Sequence, residues 1–356
     1  MSNEIKTTKG RYKELDALRG IAALFVVLFH FTLGRPESKL GFNLGITGVD
    51  LFFIISGFVI FMSINNASST KEFLINRFTR LYPTYWTCVS FTYLFYIMVC
   101  NTNNIQRSIL LTDYLANLTM FQHYFKIKDI DGPYWTMLIE MLFYIFIAIV
   151  FSIKKLKHIV PIGLILLYLI IAQNFIITTK FWPQYSAFRL SLLLLNHFPL
   201  FFSGIVFYKI ITEKENYFLL YVFIFFAYSM QVINTDMDGP FINHAEHTLM
   251  TTIYFGLFIL FVNNKLFFIV NKPLLFLGKI SFALYLIHQY LSTVFLIPLF
   301  YDKWHLNFWL SLIITLCIVL GLATLVTYYI EIPLGKRINN TFRGGVKLEK
   351  KNNGNV

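Results

Sequence analysis

Charge is what this sequence has least of: only 13% of its 356 residues are Asp, Glu, Lys or Arg. A surface that faces water needs nearer 25%, so a soluble globular fold is excluded. Cysteine is also scarce. Cys88, Cys100 and Cys317 stand singly in apolar stretches; they form no CxxC pair and no metal-ligand spacing, and read as small buried hydrophobes. A Walker sequence, a glycine-rich dinucleotide turn and a G-x-S-x-G elbow are all missing. That removes the common designs for binding nucleotides and for serine hydrolysis. His244 and His247 flank Glu246 at a spacing unlike a zinc protease's, so no metal is expected. Acids are outnumbered by bases, 18 to 30, for a net charge of +12. The positive residues gather at one face of a membrane, which accounts for them better than a nucleic-acid partner would.

What is abundant is apolar bulk: 57% hydrophobic residues, with 40 Phe and 21 Tyr. Runs of about 20 apolar residues, each able to cross the ~30 Å core of a bilayer, recur along the chain. They predict an all-α integral membrane protein, a bundle of about ten transmembrane helices. The expected spans are 15–34, 45–64, 82–100, 133–152, 159–178, 188–210, 216–234, 246–263, 274–300 and 307–330. Of the 30 Lys and Arg, 22 then fall on the side of the N-terminus and eight on the other. The positive-inside bias makes both termini cytoplasmic and turns Asn101–Asp131 outward. The polar start "MSNEIKTTKGRYK" has no signal-peptide core, so the first span is expected to act as the insertion signal. Residues 1–335 form one transmembrane domain and 336–356 a basic cytoplasmic tail.

Orientation converts sequence position into depth at ~1.5 Å per residue. Arg19 lies near the inner surface, as do Arg77 and Arg80 of "NRFTRLYP". His30, Asp50, Glu140 and His288 all fall in the outer half. A carboxylate inside a bilayer costs several kcal/mol and is usually functional, so four ionisable groups at one depth point to a site. Read singly, the arginines would be snorkelling topology markers and each histidine a packed residue bonding a main-chain carbonyl. The other histidines, His123, His158, His197, His244, His247 and His305, read mostly as solvated or structural. Gly41, Gly45 and Gly48 suit a tight entry into the second span rather than phosphate binding.

Six segments, in order, resemble acyltransferase family 3, integral membrane enzymes that O-acylate surface polysaccharides. They are "ELDALRGIAALFVVLFHF", with Arg19 and His30 separated by ten residues, "GVDLFFIISGFVI", "RFTRLYP", "WTMLIEMLFY", "SFALYLIHQY" and "YIEIPLGKR". Thr136 stands where the family usually has serine, and Phe282 where tyrosine is common. The resemblance implies transfer of an acyl group, acetyl in the first instance, from cytoplasmic acyl-CoA to a hydroxyl of a lipid-linked or nascent surface glycan. Such a glycan is a lipopolysaccharide O-antigen, a capsule or an exopolysaccharide. It also implies a multi-pass protein of the bacterial cytoplasmic (inner) membrane, with acetyl-CoA as donor substrate and no bound cofactor.

The donor's phosphates suit Arg19, Arg77 and Arg80, planar forks that are always charged. His30 suits a general base, with Asp50 or Glu140 stabilising its charged form; a covalent acyl-His intermediate is the alternative. Thr136, Tyr285 and His288 are expected to contact substrate or an oxyanion. The rival reading is a transporter of a polysaccharide or lipid-linked sugar in which His30, Asp50 and Glu140 relay protons. Against it, the sequence has no inverted repeat and the inner arginines would lack a purpose.

Overall fold

A computed structural model of the protein describes residues 11–102, 108–178, 193–213, 217–235 and 241–338. Most of the expected basic tail lies outside them, as do Arg107, Lys180, Arg189, Lys214 and the start of the sixth expected span. Regular structure among the described residues is helical. Seven stretches are long and apolar enough to cross a membrane: Lys13–Thr32, Phe42–Asn65, Gly132–Ser152, Leu194–Glu213, His244–Val262, Lys272–Lys303 and Phe308–Ile338. Leu156–Ala172 and Phe218–Ile233 are shorter apolar helices. The helices used below are α1 (Lys13–Thr32), α2 (Gly48–Asn65), α3 (Thr70–Thr102), α4 (Leu111–Asn117), α5 (Trp135–Ser152), α6 (Ile159–Thr178), α7 (Leu194–Glu213), α8 (Phe218–Thr235), α9 (His244–Val262), α10 (Lys272–Tyr290) and α11 (Phe308–Val326).

The chain forms two compact units. One comprises 1–66 with 136–281, the other 67–135 with 282–356. In the first, contact depends on residues with no side chain to intrude. A Cβ on Gly45 would lie 2.2 Å from the Phe25 carbonyl oxygen, and one on Gly48 2.7 Å from that of Ala22. These two glycines therefore let the 3₁₀ stretch Phe42–Thr47 and the start of α2 lie directly on α1, the tight entry that the sequence suggests. Gly57 and Gly204 do the same for α2 and α7, with added Cβ atoms 1.9 Å from Phe201 O and 2.1 Å from Ile54 O. Close backbone approach at small residues is how helices pack where lipid tails offer no hydrophobic gain.

The second unit corrects one expectation. Arg77 and Arg80 lie on α3 itself, not in a loop before the third span, because α3 starts at Thr70 and runs 33 residues. The described part of Asn101–Asp131 folds back along α3. Tyr96 Oη meets Ser108, Ser90 Oγ meets the Tyr114 hydroxyl, Trp86 Nε1 donates to Leu118 O and Tyr85 Oη to Asn117 O. Tyr82 Oη donates to Thr119 O. From Tyr96 to Tyr82 this follows the helix for roughly 21 Å. The reason is backbone satisfaction. Carbonyls at and just beyond the end of a helix need donors from outside it, and the aromatic O–H and N–H groups of α3 supply them at Asn117, Leu118 and Thr119. Of the cysteines, Cys88 and Cys100 are buried as expected, whereas Cys317 is exposed on α11.

Candidate active site

Asp50 is the most buried acid among the described residues of the first unit, only 6% exposed. It sits in the first turn of α2, which continues directly from the 3₁₀ stretch Phe42–Thr47. Its partner is a residue that sequence reasoning set aside. His247 places Nε2 2.6 Å from Asp50 Oδ2, and the Tyr228 hydroxyl lies 2.9 Å from the same nitrogen. A carboxylate only accepts, so Nε2 carries the proton and donates it to Asp50. Thr47, just before α2, bonds the Tyr254 hydroxyl at 2.7 Å. His197 of α7, its ring tilted against Phe53 with 4.8 Å between centres, lies near Asp50 and His247. Four helices thus contribute to one buried polar cluster around Asp50. Removing one member of a buried pair costs on the order of 3–5 kcal/mol, because the other charge is left uncompensated.

His247 reaches this place because α9 starts early. Asn243 Oδ1 accepts from the Glu246 N–H, and Glu246 Oε2 accepts from the Asn243 N–H, both at 2.9 Å. This reciprocal capping box fixes His247 in the first turn of α9 and buries it. The N-x-x-E spacing before an apolar run was the signal that would have placed it there. His123, His158, His244 and His305 are exposed, in keeping with the solvated reading.

His30 is on α1, partly exposed, with Phe29 packed edge-on at 4.8 Å. Its Nδ1 lies 2.9 Å from the Val26 carbonyl oxygen. A carbonyl cannot donate, so Nδ1 holds the proton and Nε2 of the neutral ring is the acceptor. Glu140 of α5 accepts a hydrogen bond from Tyr144 one turn on, at 2.5 Å, and Thr136 is buried at the start of that helix. Arg19 is partly exposed on α1. The side-chain contacts named for the two acids therefore come from His247 and Tyr144, and a main-chain carbonyl orients His30.

In the second unit, Arg77 and Arg80 are one helical turn apart on α3, so they share a face. The Arg77 guanidinium lies over the Phe73 ring, 5.9 Å from its centre, and Arg80 is exposed. His288 is fully buried, its Nδ1 2.8 Å from Tyr285 O, which sets the same tautomer as in His30. Two residues further on, Asp131 accepts from the Tyr290 N–H at 3.1 and 3.2 Å, where α10 loosens into the π-helical stretch Leu291–Leu296. A side chain inserted into the helical ladder is a recognised cause of such a break.

Burial pushes the Asp131 carboxyl up to about 7, against the opposing pull of the Tyr290 and Gly132 N–H groups. The sign follows from proton counts. Between the ordinary value of 3.8 and about 7 the folded protein holds a proton that the unfolded chain lacks. This acid's contribution to stability is therefore greatest at low pH and falls as pH rises through that window, by up to ~1.4 kcal/mol per unit. Thermal unfolding in detergent at pH 5 to 8 should show Asp131→Asn flattening the decline of the parent. Identical slopes would mean that Asp131 is not the titrating group.

The model of a family described as an acyltransferase domain matches residues 12–331. A protein of Acidianus two-tailed virus named as an acetyltransferase is 24% identical over 281 residues, 76% of this chain and 80% of its own length. An O-acetyl transferase of Shigella phage Sf6 is 28% identical over 157 residues, 40% of this chain and 46% of the phage protein. Nodulation protein 10 of Rhizobium leguminosarum bv. viciae is 25% identical over 205 residues, 50% of this chain and 56% of its own. No solved structure matches the chain.

Proposed function

The chain belongs to acyltransferase family 3, and from that premise we propose that it moves an acetyl group from cytoplasmic acetyl-CoA to a hydroxyl of a surface glycan at the outer side of a bacterial inner membrane. The observation that supports this reading is the hydrogen bond from His30 Nδ1 to Val26 O, which puts the acceptor lone pair of the neutral ring on Nε2. His30 takes the proton of the glycan hydroxyl. The oxygen attacks the thioester carbonyl, the new C–O bond forms, the C–S bond breaks, and the proton on His30 leaves with the CoA thiol. Asp50 and Glu140 supply the negative field that favours the charged imidazole. Arg19, Arg77 and Arg80 engage the donor's phosphates, and Thr136, Tyr285 and His288 contact substrate or the developing oxyanion. About ten spans, with both termini cytoplasmic, put the donor and acceptor on opposite sides of the reaction.

A thiol-release assay tests the reading. Purified protein given acetyl-CoA should liberate free CoA when a lipid-linked polysaccharide extract is added, and only background thiol without it. Absence of acceptor-dependent release, together with uptake of the extract into sealed vesicles, would favour the transporter instead. Orientation is tested separately. A cysteine placed at Ser69 should resist an impermeant reagent applied from outside, and one placed at Asn103 should react.

A further inference from the structure

The reaction just outlined uses Asp50 but gives no part to the residues that hold it. We propose that His247 is a positioning residue for acyl transfer: by donating Nε2–H to Asp50 Oδ2 at 2.6 Å, it fixes the carboxylate in the orientation the reaction needs. The inference rests on the acyl-transfer reading with Asp50 in the site.

Three observations carry it. First, the pair is buried on both sides, with His247 and Asp50 each 6% exposed. A charge-assisted bond shielded from water in this way is stronger and more directional than a surface pair. Second, the turn that bears His247 is itself fixed, and a second polar group meets the donating nitrogen. The Asn243–Glu246 capping box pins the turn that bears it, and the Tyr228 hydroxyl lies 2.9 Å from its Nε2. Third, the turn that bears Asp50 is packed on α1 without slack, since Gly48 lies directly against Ala22 of that helix. The imidazole–carboxylate pair therefore bridges α9 to the segment packed on the helix that bears His30. A side chain that tied α9 to α2 for folding alone would show in stability, not in turnover.

The experiment separates these roles. Variants are purified in detergent, checked for monodispersity and thermal stability, and assayed for acceptor-dependent CoA release with acetyl-CoA and a lipid-linked polysaccharide extract. His247→Leu should lower kcat about 10- to 100-fold with little change in the KM for acetyl-CoA. His247→Gln, whose amide can still donate to Asp50, should recover most of that loss. Tyr228→Phe removes one hydroxyl while keeping the ring, and should lower kcat several-fold; it tests the same network if His247→Leu fails to fold. Adding His247→Leu to Asp50→Asn should cost little beyond Asp50→Asn alone, since the two act as one unit. Full kcat in folded His247→Leu and Tyr228→Phe would overturn the proposal. So would a His247→Gln as inactive as His247→Leu, which would make the imidazole a proton carrier in its own right. If Asp50→Asn keeps the parental rate, the fault lies in the placement of Asp50 in the reaction. If Asp50→Asn is inactive and His247→Leu is not, only this inference fails.

Discussion

Exchanging His30 for glutamine is expected to lower glycan acylation by ~10²–10⁴-fold, the usual cost of losing a general base, and to leave insertion and donor binding intact. The Val26 carbonyl accepts from Nδ1 of His30, and that bond assigns the acceptor lone pair to Nε2. Glutamine has similar reach and can hydrogen-bond, but its amide takes no proton at neutral pH. His30→Gln and His30→Ala should therefore be equally inactive, an outcome that separates proton transfer from packing. The arginines assigned to the donor are untouched, so acetyl-CoA binding should match the parent. If the histidine and the acids of its unit work together, adding Asp50→Asn or Glu140→Gln to His30→Ala should cost little more. Acylation at near-parental rate by folded His30→Gln protein would remove His30 from the chemistry. His288, whose ring is set in the same tautomer by Tyr285 O, would then be the residue to replace next.

The second large effect is expected at the donor. Arg77→Ala and Arg80→Ala should each raise the KM for acetyl-CoA about 10- to 100-fold, from the ~1.5–3 kcal/mol that a hydrogen bond to a charged group contributes. Glycan binding should stay unchanged. One turn of α3 separates the two side chains, so a single phosphate group can meet both. Arg77 lies over the Phe73 ring, which restricts its stem and lowers the entropy lost on binding. Arg→Lys at either position should recover only part of the affinity, because an ammonium is a point charge without the two-pronged fork. Unchanged donor KM in both alanine variants would reduce these arginines to topology markers.

Much of this protein can be read from sequence because a bilayer imposes long, uninterrupted apolar runs. The helical class and the approximate limits of most helices follow from hydropathy and length alone; the interval 159–178 coincides with α6. The family is legible for a similar reason, since its six segments are local and lie in order along the chain. Single acids such as Asp50 stand out because their burial cost makes each conspicuous against a background of Phe, Leu and Ile.

Partnership was decided by tertiary structure. His247 is 197 positions from Asp50, and no local pattern relates them; only the packing of α9 beside the start of α2 does so. The depth expected from hydropathy sets His30, Asp50, Glu140 and His288 at one level but says nothing about which helix faces which. Hydropathy likewise leaves the segment after α3 as a connection between spans, because its apolar runs are too short to cross a bilayer. Its place along α3 comes from hydrogen bonds between aromatic side chains and main-chain carbonyls, and main-chain groups leave no mark in a sequence. What the sequence determined was the order and approximate limits of the apolar helices, which the bilayer as solvent imposes. What the fold alone decided was position around the bundle, because that depends on which helix backbones approach closely at glycine and which polar groups then meet.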